Sequence, residues 1–251
     1  MKIVATDISK GAQGIPLPET SVVFETGRVT IAEAEVDDRP TVLALILSGR
    51  MRADSGTLTI DGVDDPALVR ERIALVDAPD VSEPAADLTL RAIVKEELMY
   101  AGRSTSRSAV AAVIAEAGGT DVDGVDFSGE RVADVPPAVR IRILAELAAS
   151  RRGVQGLVLT SPDRHGGDPR DWFAVVTDLA SRDFAVAVVT GAASAELLRP
   201  LLPADPETPE EPENPAEPEN PADPENLAGP QDPENLETPT TLPTTDTEPT
   251  A

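Results

Sequence analysis

The chain contains no cysteine, which excludes disulfides, thiolate zinc sites and cysteine nucleophiles. Aromatic residues make up only 2% of its 251 positions, so a core has to be built from Val, Leu, Ile and Ala. Lysine occurs only at positions 2, 10 and 95, and no Lys or Arg follows Arg199. The formal net charge of -24 argues against nucleic acid as a partner, because phosphate-backbone binding needs clustered cations. Apolar runs such as 42–47 and 184–189 are far too short to span a bilayer. The opening residues have no apolar stretch of the secretory kind. A cytoplasmic location is therefore expected, with any membrane association arising through a partner and no direct insertion.

The charge divides the chain. Residues 1–199 hold 21 basic and 31 acidic residues, a net of -10, and the remaining 14 acidic residues lie beyond Arg199. From about residue 203 the sequence repeats Pro-Glu-Asn units at short intervals. Proline at that density blocks helices and sheet ladders, and there is little apolar surface to bury. Residues 203–251 read as a disordered, acidic tail rich in Pro, Glu and Asn.

Residues 1–199 alternate strand-like and helix-like segments. β-Branched runs predict strands over 2–8, 21–24, 29–34 and 57–60, and an antiparallel arrangement early in the chain. Helical spacing predicts helices over 41–50, 68–72, 90–101, 106–117, 139–150 and 172–181. Short apolar strands at 73–76, 157–160 and 185–190, interleaved with helices, read as a parallel sheet. The expected class is α/β.

The order of these segments, and the residues between them, resemble the nucleotide-binding domain of ABC transporters, a P-loop NTPase fold. In that family a strand leads into a glycine-rich phosphate loop, a helix, a turn and a strand ending in Asp-Gly. Ala53-Asp54-Ser55-Gly56 and Ile60-Asp61-Gly62 match that ending without a gap from Gly27. Residues 72–76 resemble the strand before the glutamine loop, and Leu88-Thr89-Leu90-Arg91 the start of the helical subdomain. Leu157-Val158-Leu159 with Pro162 resembles the Walker B strand, and 186–191 the last strand before the switch histidine. The resemblance implies a domain over 1–199 with an early antiparallel β portion and a helical subdomain at about 88–150.

The departures from the family pattern all fall on its phosphate chemistry. A phosphate loop works through glycine amides and a lysine. In this register the loop runs from Ala34 through Asp37, Asp38, Arg39 and Pro40 to Thr41, with glycine positions on Ala34, Asp37 and Arg39 and the lysine position on Pro40. Only Thr41 keeps a hydroxyl suited to magnesium. At an effective dielectric near 20, unit charges about 4 Å apart interact by roughly 4 kcal/mol, so Asp37 and Asp38 would repel a triphosphate. The glutamine-loop position falls on Ala78. The signature loop falls on Val135, Pro136, Pro137, Ala138 and Val139, without its glycines. The magnesium Asp and catalytic Glu of Walker B fall on Thr160 and Ser161, and the switch histidine on Gly191.

Other chemistry-bearing residues read blandly. His165, the only histidine, is more often a loop residue than a ligand when it stands alone. Ser161 lacks a nucleophile-elbow pattern. Asp163 and Asp168 could form an acid pair, but a solvated turn with Asp168 or Asp171 capping a helix is favoured. Pro136-Pro137 reads as a rigid turn before a helix. No metal site and no cofactor is expected; ATP and magnesium apply only if the phosphate loop is functional. The resemblance implies a subunit that has lost catalysis and works beside a membrane permease, paired with an intact ATP-binding subunit or with itself. Residues 88–100 are then the candidate docking region. A functional ATPase with an atypical phosphate loop, or a stand-alone scaffold recruiting through its tail, remain open at this point.

If the tail adds nothing to the folded domain, a chain ending at Pro203 should have the same thermal midpoint as the full chain. Limited proteolysis should remove the tail first; a tail as resistant as the domain would contradict the reading.

Overall fold

The computed structural model describes residues 1–35, 37–118 and 126–203; the segment read as a tail lies, apart from Pro203, outside the described residues. Its strands form two sheets rather than one mixed sheet. The first is antiparallel, with β1 (Lys2–Lys10) at its centre between β2 (Leu17–Glu25) and β4 (Ser55–Ile60). Along β1 the side chains of Ile3, Ala5 and Ile8 are buried. They join Leu17, Val22 and Phe24 of β2 and Ile60 of β4 in one apolar cluster. One face in the core and one face toward solvent is the usual arrangement for such a sheet. The interval from Ala5 to Ile8 is odd, and the register between β1 and β2 shifts between these two residues.

The second sheet is parallel throughout. Its order is β3 (Val29–Glu33), β7 (Ala185–Thr190), β6 (Gly156–Thr160) and β5 (Ile73–Val76). All residues of β5, β6 and β7 are buried. That explains why they read as continuous apolar runs without alternation: both faces are covered. Val158, Ala187 and Val189 face the cluster shared with the antiparallel sheet and α1 (Arg39–Leu47). Leu157, Leu159, Val186 and Val188 face the opposite cluster, with α5 (Pro137–Ala149) and α6 (Pro169–Ser181). The strands at 73–76, 157–160 and 185–190 form the expected parallel sheet, and β3, read from sequence among the early strands, joins it beside β7.

A third cluster gathers α3 (Leu90–Tyr100), α4 (Arg107–Glu116) and the second face of α5. Ile141, Ala145 and Ala148 of α5 turn to the sheet, while Ile143 and Leu147 turn to α3 and α4. These two sets have helical spacing on two faces of one rod, so α5 is the beam that joins the helical part to the parallel sheet. The remaining helices are α2 (Pro66–Arg72) and α7 (Ala192–Leu198).

Local chemistry sets the helix starts. Asp65, Thr89, Ser106 and Asp168 each accept a backbone N–H of the following turn, the capping these residue types favour by about 1 kcal/mol. Helix α6 starts three residues earlier than its apolar spacing predicts, because Asp168 caps it and Pro169 opens it. Asp168 thus plays the capping role favoured from sequence. Helix α7 was not expected; its seven residues are too short for a clear periodic signal.

Gly156 opens the central strand β6. A Cβ there would lie 2.7 Å from Ile73 Cδ1 and 2.9 Å from the carbonyl oxygen of Ala185, so the Ile73 side chain and the β7 backbone would both have to shift. Gly156→Ala should cost about 1–3 kcal/mol, the usual range for overpacking, in urea unfolding. A cost no larger than that of a surface substitution would refute this account of the strand packing.

Candidate functional site

In open parallel sheets, ligand chemistry gathers beyond the carboxyl ends of the strands. Here the ends of β3, β7, β6 and β5 are Glu33, Thr190, Thr160 and Val76. Two sharp turns leave this edge: Asp77 (φ 54°) follows β5 and Ser161 (φ 46°) follows β6. Aspartate tolerates this left-handed backbone; serine does so less readily.

The β3 and β7 ends are joined by the chain's own carboxylates. The Ala34 amide donates to the Thr190 carbonyl at 3.1 Å, and the Ser161 amide to the Val189 carbonyl at 2.7 Å. Glu35 Oε1 accepts the Ala192 amide at 2.5 Å. Asp163 Oδ2 accepts the Gly191 amide and the Ser194 hydroxyl, each at 3.2 Å. A Cβ on Gly191 would stand 2.8 Å from Glu35 Oε1 and 3.3 Å from Asp163 Oδ2. Two carboxylates thus converge on the glycine at this position, and a larger residue there would push aside the tip of the exposed Glu35 side chain. Thr160 and Thr190, at adjacent strand ends, are buried, and neither Oγ1 has a hydrogen-bond partner. A cleft of about 210 Å³ beside this edge is lined by Leu17, Pro18, Thr20, Glu33, Glu35 and Arg39, among others.

The residues read as a vestigial phosphate loop lie between β3 and α1 and in the first turn of α1. Ala34 is buried behind the loop, and Asp37 is exposed with a left-handed backbone (φ 49°). Asp38 is the N-cap residue of α1 but its side chain makes no cap bond. Arg39 and Pro40 occupy the first turn, followed by Thr41. The Arg39 Nε donates to the Pro16 carbonyl at 3.1 Å, turning that edge of its guanidinium toward the β1–β2 connection. Thr160, Ser161 and Gly191 come together with Ala34 at the sheet edge; Ala78 and the residues from Val135 to Val139 lie elsewhere, around a second cluster.

That cluster is centred on Asp77, which is 2% exposed. Arg140, 3% exposed, approaches it side-on, with Nη2 2.7 Å from Oδ1 and Nε 3.0 Å from Oδ2. Arg164 Nη2 lies 3.2 Å from Asp77 Oδ1 and 3.2 Å from Glu83 Oε1. Arg164 Nη1 donates to the Thr160 carbonyl at 2.7 Å. His165 Nε2 is 2.8 Å from Asp77 Oδ2; because an ionised carboxylate only accepts, this nitrogen donates. Ala78 is fully buried, and its carbonyl accepts the amides of Val81, Ser82 and Glu83. Val135 is buried, Pro136 precedes α5 and Pro137, Ala138 and Val139 form its first turn, which presents Arg140 to Asp77.

Burial alone would push the Asp77 carboxyl up. Hydrogen bonds from His165 and Arg140, with the charges of Arg140 and Arg164, outweigh it and hold the group well below the usual carboxylate range. Asp77, Glu83 and His165 also have ligand atoms within 4.8 Å of one another. A divalent ion there would have to displace two guanidiniums from the same oxygens, so the donor set does not fit a metal as it stands.

Sequence reading missed this cluster. Asp77, Arg140 and Arg164 are far apart in the chain and belong to no short motif. His165, read as a loop residue, lies in the turn between β6 and α6, and its half-buried ring donates to Asp77. Asp163 and Asp168 are not paired: the first holds Gly191 and the second caps α6.

Because the folded Asp77 carboxyl titrates below its unfolded value of about 3.9, the folded state binds fewer protons there. Its contribution is complete above about pH 4 and is lost as pH falls further. Asp77→Asn should cost about 3–5 kcal/mol at neutral pH by stranding Arg140. It should also flatten the fall in stability below about pH 4, as followed by urea unfolding across pH. An acid slope identical to that of the parent protein would show that Asp77 is not the linked group.

No family profile matches the sequence, and no curated protein matches it by sequence. Solved structures do match in fold. One is a protein assigned as an ABC transporter ATP-binding protein from Pyrococcus furiosus, 14% identical with a TM-score of 0.53 over 76% of this chain and 92% of that one. A second is an ATP-binding subunit of an ABC transporter, 15% identical with a TM-score of 0.50 over 78% and 82% of the two chains. A third is a bacterial ABC transporter cassette solved as a dimer, 15% identical with a TM-score of 0.53 over 76% and 88%. Among the described residues no helix is long and apolar enough to cross a membrane. Two sheets, seven α-helices among the described residues and their order together give this chain the fold of the ABC transporter ATP-binding domain.

Proposed function

We propose that the chain is an ABC-type ATP-binding subunit that has lost phosphate-handling chemistry and serves as a non-catalytic partner of a membrane permease and an intact ATP-binding subunit. A second copy of this chain is the other candidate for the paired subunit, as one structural neighbour is a dimer. The observation that carries the reading is the sheet edge itself. The β3–α1 connection sets Glu35, Asp37 and Asp38 around a single cation, Arg39. The nitrogen of Pro40 carries no hydrogen. Binding a triphosphate with magnesium needs amide donors and a positive charge. Hydrolysis also needs a metal-bound phosphate beside a held water. Thr160, Ser161 and Gly191 bring neither carboxylate nor imidazole to that task, and the nearby Glu35 and Asp163 already hold the backbone of 191–192.

A structural role needs intact docking surfaces rather than an intact site. Helix α3 ends with Met99 and Tyr100 largely exposed, on the segment where the resemblance puts permease docking. The acidic tail would keep such a subunit off anionic lipid and leave its membrane contact to the permease.

Calorimetric titration with MgATP should give no binding at micromolar nucleotide, and the purified chain should not hydrolyse ATP measurably. Micromolar affinity abolished by Arg39→Ala would make the loop an unusual working one and favour the ATPase alternative. Micromolar affinity insensitive to every change from Ala34 to Val42, and to the groove substitutions described below, would put the phosphate loop elsewhere.

A further inference from the structure

The opposite end of α1 carries a second concentration of charge. Helix α1 spans nine residues, so at 1.5 Å per residue its two ends are about 13 Å apart. Just past the C-terminal end, Gly49 has a left-handed backbone (φ 68°), and a Cβ there would meet the Pro66 carbonyl oxygen at 2.6 Å. The missing side chain lets the chain after α1 lie directly against α2. Arg50 and Arg70 are thereby held side by side. Arg50 Nη1 donates to the carbonyls of Ser48 (2.9 Å) and Ile73 (3.0 Å), and Arg70 Nη1 donates to that of Gly49 (3.3 Å). Each guanidinium is pinned to backbone by one nitrogen, and neither has a carboxylate partner among the described residues.

Both line a cavity of about 800 Å³ between the α1 end, α2 and β4, within the size range of small-molecule sites. Its other charged walls are Lys10, Arg52, Asp54 and Asp64. Lys10 is neutralised by Asp54 at 2.6 Å, and Arg52 has no partner among the described residues. Three guanidiniums against Asp64 leave an excess of two positive charges, in a domain whose net charge is -10. Burial, with the charges of Arg151 and Arg70, pushes Arg50 below the usual arginine range; a cation crowded by cations is relieved by an anion.

We infer that this groove is a binding site for a small phosphate-bearing ligand, held by the free edges of Arg50 and Arg70 and approached by Arg52. Arginine forks grip oxyanions in pairs of parallel hydrogen bonds, and their pre-pinned orientation reduces the entropy lost on binding. The excess of two charges matches a phosphate monoester, which carries close to two negative charges at neutral pH; the more highly charged diphosphate serves as the stronger probe of the same oxyanion chemistry. A tetrahedral phosphate presents three oxygens that do not share a plane, so guanidiniums on different walls can each meet one, whereas the acceptor lone pairs of a carboxylate lie in a single plane. Ile46, Met51 and Leu58 on the same walls would cover an apolar portion of an organic phosphate.

The test is calorimetry on the full chain at low salt, with diphosphate, inorganic phosphate, a simple phosphate monoester and succinate as probes. Diphosphate should bind at sub-millimolar concentration. Arg70→Gln should weaken it about tenfold or more, the loss expected for a charge-assisted hydrogen bond. Arg52→Gln, which breaks no internal contact, should weaken it severalfold and keeps the test sound if Arg50→Gln unfolds. Tighter binding of the phosphate monoester than of inorganic phosphate would identify an organic phosphate as the ligand; the reverse would identify free phosphate. No heat at millimolar diphosphate overturns the site, as does affinity unchanged in both Arg70→Gln and Arg52→Gln. Succinate binding as tightly as diphosphate overturns the phosphate assignment. Because Arg39→Ala leaves this groove untouched, diphosphate binding lost in that variant would put the anion at the other end of α1 and overturn the inference, whereas loss only in the groove variants leaves the proposed function standing.

Discussion

The buried carboxylate of Asp77 is the point on which the rest of the architecture depends. It ends the edge strand of the parallel sheet, receives Arg140 from the first turns of α5, and receives Arg164 and His165 from the turn after β6. Three separate parts of the chain therefore meet at two oxygen atoms. Desolvating a lone carboxylate is costly, and attraction repays that cost only when its oxygens are fully bonded. Here both oxygens are bonded, and Arg140 spends its remaining nitrogen on the Val132 carbonyl. The value of such a cluster lies in geometry: α5 is the beam shared by the sheet and the helical part, and Asp77 fixes where its first turn points.

The same sheet edge uses acids a second time, with a different consequence. Glu35 and Asp163 satisfy backbone donors at 191–192 and so stitch the β3, β6 and β7 ends together. An internal carboxylate delivers negative charge to an amide without needing a ligand to arrive. On the reading proposed here, an edge built this way stays closed and ordered in the absence of nucleotide, as a subunit with a structural role requires. Its cost is repulsion of any further anion, and the unbonded hydroxyls of Thr160 and Thr190 do not relieve it.

How much of this was legible in the sequence follows from the range of the interactions. Fully buried strands such as Ala185–Thr190 announce themselves as short β-branched runs, and capped helices announce their starts through Thr89, Ser106 and Asp168. The early antiparallel sheet was readable because β1 and β2 are neighbours. Short α7 lacked enough turns to show a period, and the start of α6 was hidden because its first turn is polar. The positions Ala34, Thr160 and Gly191, placed by register, lie at neighbouring strand ends on one edge of the parallel sheet. What those residues touch could not be read: the partners of Gly191 are 28 and 156 positions away, at Asp163 and Glu35. The Asp77 cluster is the extreme case, since Asp77 and Arg140 are separated by 63 positions and neither lies in a motif. A lone histidine gave the one available hint, and its bland reading was reasonable without the carboxylate in view.

Fold and chemistry separate cleanly in this chain because they draw on different residues. Clusters of Val, Leu, Ile and Ala on both sides of the parallel sheet do not involve Asp37, Arg39 or Ser161. Substituting a polar strand-end residue changes what the edge can bind and leaves the buried apolar area, which scales the stability, almost untouched. A protein with 14–15% identity to ATP-binding subunits can therefore share their architecture while the strand-end edge carries its own acids, Glu35 and Asp163. Arg50 and Arg70 sit in a groove whose walls come from the apolar clusters and whose orientation is set by Gly49, so that groove inherits the rigidity of the fold without depending on the nucleotide edge at all.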